Sequence, residues 1–320
     1  RGADDYRGGD GPLHVTAPTY EDNRLWEGFL AGCQQAGYPI SEDTNGFQQE
    51  GFACMDQTIH KGRRWSTATA FLRPVMGRPN LTVITDAPVA RIAIANRRAT
   101  GVEIIGGRKL AAAREVILSA GGIISPRILM LSGIGAAEEL RAHGIAVVLD
   151  LPGVGKNHQD HAAIITAMRT KSRIPWGFSW PKLPAFALDA LNYLFRRRGF
   201  FSAQIIESGG FIRTVPGLDR PDIQFVFIPG HRAPPPKMIE VGHGYSCSAV
   251  LLRPKSRGTI SLASKNPADP PVIDPCFFED PADLEVLLKG LKEARRIIQA
   301  DIFAKYQPAE LMPGEAVQSD

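Results

Sequence analysis

Apolar residues recur every three or four positions in two long segments, which is the spacing of a helix that buries one face. The first segment is "TYEDNRLWEGFLAGCQQAGYPI", where Gly37 ends the pattern, and the second is "DPADLEVLLKGLKEARRIIQ", where Asp280 or Asp283 can serve the N-terminus. The apolar positions are Leu25, Phe29, Leu30 and Cys33 in the first segment and Leu284, Leu287, Leu288, Leu291 and Ala294 in the second. Shorter helices are predicted at "STATAFLRP", with Ser66 as N-cap, and at "SPRILMLSG" and "AAEELRAHG".

Other stretches carry the β-branched runs or the two-residue alternation of strands. Runs at 81–85, 89–95 and 101–105 predict three strands, and "ANRRATG" predicts a hairpin turn. Residues 116–119 are continuously apolar, as expected for a strand that is buried on both faces. "DIQFVFIP" and "SCSAVLLRPKSRGTISLAS" alternate like strands of an antiparallel sheet, and "KSRG" fits a hairpin turn within the latter.

The stretch "EVILSAGGIISPRILMLSGIG" (115–135) joins an apolar run to a helix through a double glycine. Ser125 is predicted to cap this helix, and Pro126 to occupy its first position. A buried strand that ends in glycines and leads into a helix is the geometry used to approach a dinucleotide. A plain strand–turn–helix connection is the alternative, and the pattern alone leaves both open. "GIGAAE" and "GVGKNH" lack the third glycine of G-x-G-x-x-G, so neither is a convincing pyrophosphate loop.

Composition and charge narrow the function classes. The chain has 320 residues, of which 44% are hydrophobic and 22% are charged, as in soluble globular proteins. A net charge of +4 is weak evidence for a nucleic-acid partner, so none is expected. The basic run Arg196–Arg198 is interpreted as a helix C-terminus that Gly199 stops. A patch for a membrane surface or an anionic partner is the alternative.

The four cysteines are widely spaced and form no CxxC pair, which argues against a zinc site and against a disulfide framework. We therefore expect no metal and a reducing, cytoplasmic setting, with peripheral contact to the inner membrane as a further option. No run reaches the roughly 18 apolar residues of a membrane span, and no signal peptide is recognised.

Several motifs resemble those of the glucose–methanol–choline (GMC) family of flavin oxidoreductases, in its choline dehydrogenase-like and bacterial alcohol dehydrogenase branch. The most specific is "GGIISPRILMLSGIG" (121–135), which matches the family's second signature, with Gly122 where the family usually has Ala, Ser or Thr. "GRRWSTATAFLRP", "LPGVGKNHQDH", "ESGGFIRT" and "LLRPKSRGTISLASKNPADPPVIDP" follow in the family's order, with His158 at a position that is usually Leu. The resemblance covers nearly the whole chain.

The resemblance implies an α/β fold, in which part of a Rossmann-like FAD-binding domain is joined to an α+β substrate domain built on an antiparallel sheet. Residues 1–65 are assigned as a mixed segment mostly of the substrate domain, and 66–161 as part of the FAD-binding domain. Residues 162–320 are assigned to the substrate-binding domain with the start of the C-terminal region. The family's glycine loop and catalytic histidine motif have no counterpart in this sequence. The sequence is therefore expected to be a central piece that neither retains FAD nor turns over by itself.

In the family, a histidine base takes a proton from an alcohol while the carbon-bound hydride passes to flavin N5. The resemblance thus implies oxidation of a primary alcohol to an aldehyde, with FAD as cofactor and a quinone or oxygen as electron acceptor. A hydroxynitrile lyase of the same fold and a non-enzymatic basic binding module are the alternatives. The catalytic residue is unknown, because none of the histidines present stands in a recognisable catalytic arrangement.

The same resemblance implies the site residues. Those expected near FAD are Val89, Ser119, Ala120, Gly121, Ser125, Asp160 and His161. Glu207, Phe225 and Phe227 are expected at the substrate, since one face of the strand "DIQFVF" floors the family's cavity and an aromatic floor suits an apolar alcohol. Glu207 is interpreted either as the partner of a cation such as a quaternary ammonium group or as a structural acid with its hydrogen bonds satisfied.

Overall fold

The computed structural model describes residues 2–17, 25–202, 204–231 and 241–320. Its helices are α1 (Leu25–Gln35), α2 (Gly121–Leu131), α3 (Ala137–Ala142), α4 (Leu183–Arg196) and α5 (Pro281–Ile298). Its strands are β1 (Gly51–Cys54), β2 (Ile59–His60), β3 (Arg63–Arg64), β4 (Val89–Ala95), β5 (Arg98–Ile104), β6 (Lys109–Ala111), β7 (Ile134–Gly135), β8 (Leu149–Asp150), β9 (Ala163–Thr170), β10 (Gly177–Phe178), β11 (Ser208–Ile212), β12 (Ile223–Ile228), β13 (Gly242–Leu251), β14 (Thr259–Ser261), β15 (Val272–Asp274) and β16 (Pro308–Met312).

The chain divides into two compact units, and each unit is assembled from separate stretches of sequence. The first unit contains Arg1–Leu81, His161–Arg253 and Leu284–Asp320, and the second contains Thr82–Asp160 and Pro254–Asp283. Residues 254–283 thus lie with the second unit, whereas the sequence analysis assigned them to the substrate-binding domain. Backbone hydrogen bonds hold residues 254–283 in the second unit. The N–H of His158 donates to the carbonyl of Gly258 (2.9 Å), and the N–H of Ile260 donates to the carbonyl of Gly155 (2.7 Å).

The first unit is built on an antiparallel sheet, as predicted. Its main strand order is β1-β11-β12-β13-β9-β16, and β10 pairs with β13 at the side. Helices α1 and α5 cover one face of this sheet. The ring of Phe29 in α1 stacks on Phe227 at 4.3 Å between centroids, and Gly290 allows α5 to approach closely, because a Cβ there would lie 3.1 Å from Ile223. The aromatic core between helices and sheet holds this unit together.

The second unit has a smaller core beside an antiparallel sheet of three strands, β4-β5-β6. Helix α2 packs on β4, where the Oγ of Ser132 accepts a hydrogen bond from the N–H of Ile92 (2.8 Å). The predicted hairpin turn is present, with Asn96 and Arg97 both at positive φ, as a two-residue turn of type I′ requires. The buried residues of this core are Met130, Leu131, Leu140, Val154 and Leu262.

Three predicted elements differ in the structure. Residues 81–85 and 116–119 form no strand, and Ile117 is 78% exposed, because the described residues provide no neighbouring strand with which either run could pair. The "KSRG" turn does not join two paired strands, since β14 pairs with β15 and not with β13. The N–H groups of Lys255 and Ser256 instead donate to the carboxylate of Asp283 (2.7 and 2.9 Å), which holds this segment in the second unit.

The two long amphipathic helices occur where the spacing places them, with α1 ending at Gln35 shortly before Gly37. The Oδ1 of Asp280 accepts a hydrogen bond from the N–H of Ala282 (2.9 Å) at the start of α5, as expected of an N-terminal acid. Leu284 is an exception to the predicted apolar face, because it is exposed in the first turn of α5. The "STATAFLRP" segment coils as a π-helix over Ala68–Leu72 followed by a 3₁₀ turn.

Candidate functional site

The predicted cofactor residues gather around the start of α2 in the second unit. The helix begins at Gly121 and not at Pro126, which lies inside it. Gly121 has a φ of +83°, which turns the chain sharply and allows the helix to start five residues earlier than predicted. Ser125 is therefore not the N-cap. Its Oγ accepts a hydrogen bond from the N–H of Ala120 (3.1 Å) and steadies the turn from within the helix.

This turn leaves room for a bound group. No atom lies within 4 Å of the position that a Cβ would take at Gly121 or at Gly122, and Ser119, Ala120 and Gly121 are exposed. The first N–H groups of any helix lack intrahelical partners and attract anionic groups. An open helix start with bare backbone fits a nucleotide cofactor such as FAD, and the residues that would hold it here are those of the turn 119–121.

The remaining predicted cofactor residues lie in different places. Val89 is half-buried on β4, opposite Ile104, in the strand on which α2 packs. Asp160 and His161 are both exposed, and the division between the two units falls between them, so that Asp160 ends a stretch of the second unit and His161 begins a stretch of the first. Their predicted role at the cofactor stays a prediction.

The structure corrects the prediction for Phe225 and Phe227. Both side chains are fully buried in the core, where Phe227 stacks on Phe29 and Phe225 lies 5.5 Å from Phe52 between ring centroids. Because side chains alternate along a strand, the residues of β12 that project from the opposite face are Gln224, Val226 and Ile228. The aromatic face of this strand therefore belongs to the core, and neither ring is available to line a cavity on the other side.

Glu207 has the most unusual environment of the predicted substrate residues. Its side chain is fully buried, and neither carboxylate oxygen has a hydrogen-bond partner within the described parts of the chain. Burial raises the pKa of Glu207 to about 7 from its ordinary 4.5, because the charged form loses hydration and gains no compensating contact. Of the two interpretations of this residue, the structural acid with satisfied hydrogen bonds does not describe what is seen.

Strand register shows which residues share the face of Glu207. Ser208 lies opposite Phe227 and so faces the core, which places the preceding Glu207 on the opposite face. In β13, Ser246 lies opposite Ile228 and Ala167, and therefore also projects from that face. Ser246 is fully buried, and its hydroxyl likewise has no partner among the described residues. Unpartnered hydroxyl groups are buried on both faces, since Thr166 and Ser208 lie on the aromatic face, but the buried carboxyl group of Glu207 lies on the other face.

Ser246 was not identified from the sequence, although a signal is present. In "GYSCSAVL" small polar residues alternate with Tyr245, Cys247 and Ala249, all three of which are fully buried in the core. The alternation shows that the serines share one face. It does not show that this face is also buried, and only burial makes an unpartnered hydroxyl notable.

The histidines do not form a nucleophile–base–acid arrangement in the described structure. The ring of His243 is held by the carbonyl of Pro175 (2.8 Å) and the hydroxyl of Ser179 (2.9 Å), and burial lowers its pKa. His14 and His60 stack on each other at 3.8 Å, with Trp65 at their edges. These contacts indicate structural roles for His14, His60 and His243.

A surface cavity of about 430 Å³ lies elsewhere in the second unit, at the open end of the β4–β5 hairpin and beside the β5–β6 turn. Its lining includes Arg91, Glu103 and Lys265, together with backbone of Gly106 and Gly107. None of the predicted site residues lines it. Arg91 is paired with Glu103 at 2.8 Å, so much of the charge around this cavity is already neutralised.

Comparison with known proteins gives a consistent result. Sequence models of the GMC oxidoreductase family match residues 4–163 and 254–320. The chain is 42% identical to "Alcohol dehydrogenase [acceptor]" of Pseudomonas putida, covering 98% of this chain and 58% of that protein. It is also 42% identical to mitochondrial choline dehydrogenase of Mus musculus, covering 100% of this chain and 54% of that protein. The chain thus spans a little over half the length of the curated relatives that it matches.

Solved structures agree with the sequence matches. A variant of Aspergillus oryzae formate oxidase, studied for FAD modification, superposes with a TM-score of 0.84 at 25% identity, covering 96% of this chain and 59% of that one. The predicted family resemblance, the α/β fold class and the cofactor are thereby confirmed. This chain belongs to the GMC oxidoreductase family, whose members use FAD.

Proposed function

We propose that the protein carrying this chain oxidises a primary alcohol to the aldehyde, and that its substrate bears a cationic group held by Glu207. FAD would accept the hydride from the alcohol carbon, in the chemistry that the family resemblance implies. The electron acceptor is a quinone or oxygen. The observation that carries the proposal is the buried, unpartnered carboxyl group of Glu207 on the non-aromatic face of the sheet.

The electrostatics of Glu207 favour a cationic substrate. An isolated buried carboxylate is unfavourable, and its raised pKa shows that burial favours the neutral acid. A quaternary ammonium or similar group beside it would stabilise the charged form and lower the pKa again. The site would also discriminate against an uncharged analogue, because that analogue would leave the carboxylate without a partner. The role of this chain is then to bind and orient the alcohol.

Ser246 has a related role in the proposal. Its hydroxyl group shares the face of Glu207, two strands away across β12, which corresponds to about 9–10 Å at ordinary strand spacing. At that separation one small alcohol could contact Glu207 with its charged end while a polar atom elsewhere in the molecule contacts Ser246.

The test compares two alcohols that differ only in charge. Choline and its carbon isostere 3,3-dimethyl-1-butanol are mixed anaerobically with the full-length protein, and bleaching of the oxidised flavin absorbance is followed. We expect choline to reduce the flavin at lower concentration than the isostere. Glu207→Gln should raise the choline concentration needed and leave the isostere unaffected. Glu50→Gln, at a half-buried glutamate of the same unit that is paired with Arg213, is the control.

The outcomes separate the alternatives. If no primary alcohol reduces the flavin, oxidation is refuted, and the hydroxynitrile lyase or a non-enzymatic role takes its place. If the isostere and choline are equivalent in the parent protein and in Glu207→Gln, alcohol oxidation stands while the role of Glu207 as a cation partner is refuted. A neutral aliphatic alcohol, bound with Glu207 protonated, is then the substrate class.

A further inference from the structure

Helix α4 of the first unit exposes its apolar residues to solvent. Leu188, Leu191, Leu194 and Phe195 are all exposed, with Phe195 at 79%. At 100° per residue these four positions occupy one side of the helix, together with Leu183 at its start. No residue of α4 is buried, although the segment is among the most apolar of the chain.

The polar positions of α4 point inward instead. Its least exposed residues are Asp189, Asn192 and Tyr193, and the carboxylate of Asp189 lies beside Gly199 in the following turn. The helix is held in this orientation by aromatic contacts, since Phe186 lies 5.3 Å from both Phe200 and Phe201. A helix on the surface of a soluble protein normally shows the reverse arrangement, with the apolar side inward.

The same segment concentrates positive charge. Residues 171–202 contain six Lys or Arg side chains and one Asp, an excess of five positive charges, whereas the whole chain has a net charge of +4. The remainder of the chain is therefore slightly negative. The cations flank the apolar side at both ends of α4, with Lys182 before it and Arg196, Arg197 and Arg198 at its end. Trp180, which is 71% exposed, begins the 3₁₀ turn that directly precedes the helix.

We propose that α4 docks on the surface of an anionic lipid bilayer. Its 14 residues span about 21 Å, and a helix of this kind lies in the plane of the interface, with Leu and Phe toward the acyl chains and Lys and Arg among the phosphates. Trp side chains favour the same boundary. No helix among the described residues is long and apolar enough to cross a membrane.

Charge favours a lipid surface over a second copy of this chain. In a symmetric dimer each surface meets its own equivalent, so α4 would bring two clusters of excess positive charge together. An anionic bilayer instead attracts every cation of the segment and accepts the apolar side as well. An anionic bilayer therefore accommodates both the exposed apolar residues of α4 and the excess positive charge of the segment.

Vesicle binding tests the proposal with the full-length protein. We expect co-sedimentation with vesicles that contain phosphatidylglycerol and much weaker co-sedimentation with pure phosphatidylcholine, and a loss of binding at high salt. The emission of Trp180 should shift to shorter wavelength on binding, and Trp180→Phe should remove that shift. Soluble phosphate at the same concentration should not compete, because the apolar side also contributes.

Two pairs of variants identify the surface. Leu191→Glu with Phe195→Glu should abolish binding, while Phe47→Glu, at a 92% exposed apolar residue of the same unit, should not. Arg196→Gln with Arg198→Gln should weaken binding to anionic vesicles about thirtyfold. Lys289→Gln with Lys292→Gln is the matched control at two exposed lysines of α5. Arg197 is left in place, because it packs over Tyr193.

Three results would overturn the proposal. The first is a parent protein that does not bind anionic vesicles. The second is binding that persists when Leu191 and Phe195 are both replaced by Glu. The third is a parent protein that forms a dimer and does not bind vesicles, and that Leu191→Glu with Phe195→Glu converts to a monomer. A second copy of the chain would then be the occupant of this surface. Circular dichroism of each variant ensures that the loss does not reflect unfolding.

Discussion

The titration of Glu207 should make the stability of the first unit depend on pH. In the folded protein its pKa is about 7, whereas the ordinary value for glutamate is 4.5. The folded state therefore keeps its proton over a range in which the unfolded state has released it. Stability is greatest below pH 4.5, falls as the pH rises toward 7, and becomes constant above that value, as far as this group is concerned.

The size of the effect follows from the two pKa values. Each tenfold difference in proton affinity corresponds to about 1.4 kcal/mol, so the span from 4.5 to about 7 amounts to about 3 kcal/mol. This is a large part of the roughly 5–15 kcal/mol by which folded domains are stable. Because the side chain is fully buried, solvent screening does not reduce the figure as it would for a surface carboxylate.

Glu207→Gln removes the titration while keeping the shape of the side chain. Denaturant unfolding of the substrate-free, full-length protein at pH 5 and pH 8, followed by fluorescence, gives the difference in stability for parent and variant. We expect the parent to lose about 2.5 kcal/mol more than Glu207→Gln between the two values, because part of the total effect already falls below pH 5. Infrared spectroscopy should show a protonated carboxyl band that titrates near pH 7 in the parent and is missing in the variant.

Glu50→Gln supplies a control of opposite sign. The guanidinium of Arg213 lowers the pKa of Glu50, so that pair contributes stability that is lost on acidification and not on alkalinisation. Identical pH dependence in the parent and in Glu207→Gln would refute the argument. It would mean that Glu207 is hydrated or paired in solution, and it would remove the main support for a cationic substrate.

Three other changes test the fold and the cofactor turn. Phe227→Ala should lower the free energy of unfolding by about 3–5 kcal/mol, because the ring is fully buried against Phe29, whereas Phe47→Ala at an exposed position should change it little; denaturant titration measures both. Asp283→Asn should reduce stability at pH 7 by about 1–3 kcal/mol, since the carboxylate accepts two amide hydrogen bonds. Burial opposes the charge of Asp283, yet those amides hold its pKa low. Unfolding measured at pH 7 and at pH 3 should therefore show the stability of the parent approaching that of Asp283→Asn as the acid is protonated. Gly121→Val should reduce the flavin content of the full-length protein, read from its absorbance, whereas Gly217→Val, at a similarly positive φ in the first unit, should be as strained but retain flavin.

Local patterns predicted the elements whose own residues determine them. The spacing of Leu25, Phe29 and Cys33 is that of a helix with one apolar side, and α1 follows it. The Asn96–Arg97 hairpin also depends on a short sequence, because its turn requires two residues at positive φ. The family motifs predicted the fold class and the cofactor, since they carry more information than periodicity alone.

Elements that depend on distant partners were predicted less well. Residues 116–119 have the composition of a buried strand, but a strand exists only where another one pairs with it, and Ile117 is exposed here. The "KSRG" turn was expected to join two strands, yet the carboxylate of Asp283, 27 residues after Ser256, binds its amides. Contacts of this kind are invisible to any local pattern.

The same limit explains why the substrate residues were only partly predicted. Alternation shows that Phe225 and Phe227 share one face of β12, and that Val226 and Ile228 share the other. It does not say which face the helices cover, and an aromatic row suits a core as well as a cavity floor. The packing of α1 and α5 on the aromatic face decides this point.

A buried carboxyl group distinguishes the two faces of the central sheet and connects the fold to the proposed chemistry. The aromatic face gains stability from burial, because every large side chain on it has neighbours to pack against, although it also buries the hydroxyl groups of Thr166 and Ser208 without hydrogen bonds among the described residues. The opposite face buries Glu207 and Ser246 without hydrogen bonds among the described residues, an arrangement that lowers stability above pH 7. A fold that needed only stability would gain from an apolar residue at either position. A buried carboxyl group that opposes folding is best explained by a ligand that stabilises its charged form, and a cation does so most strongly.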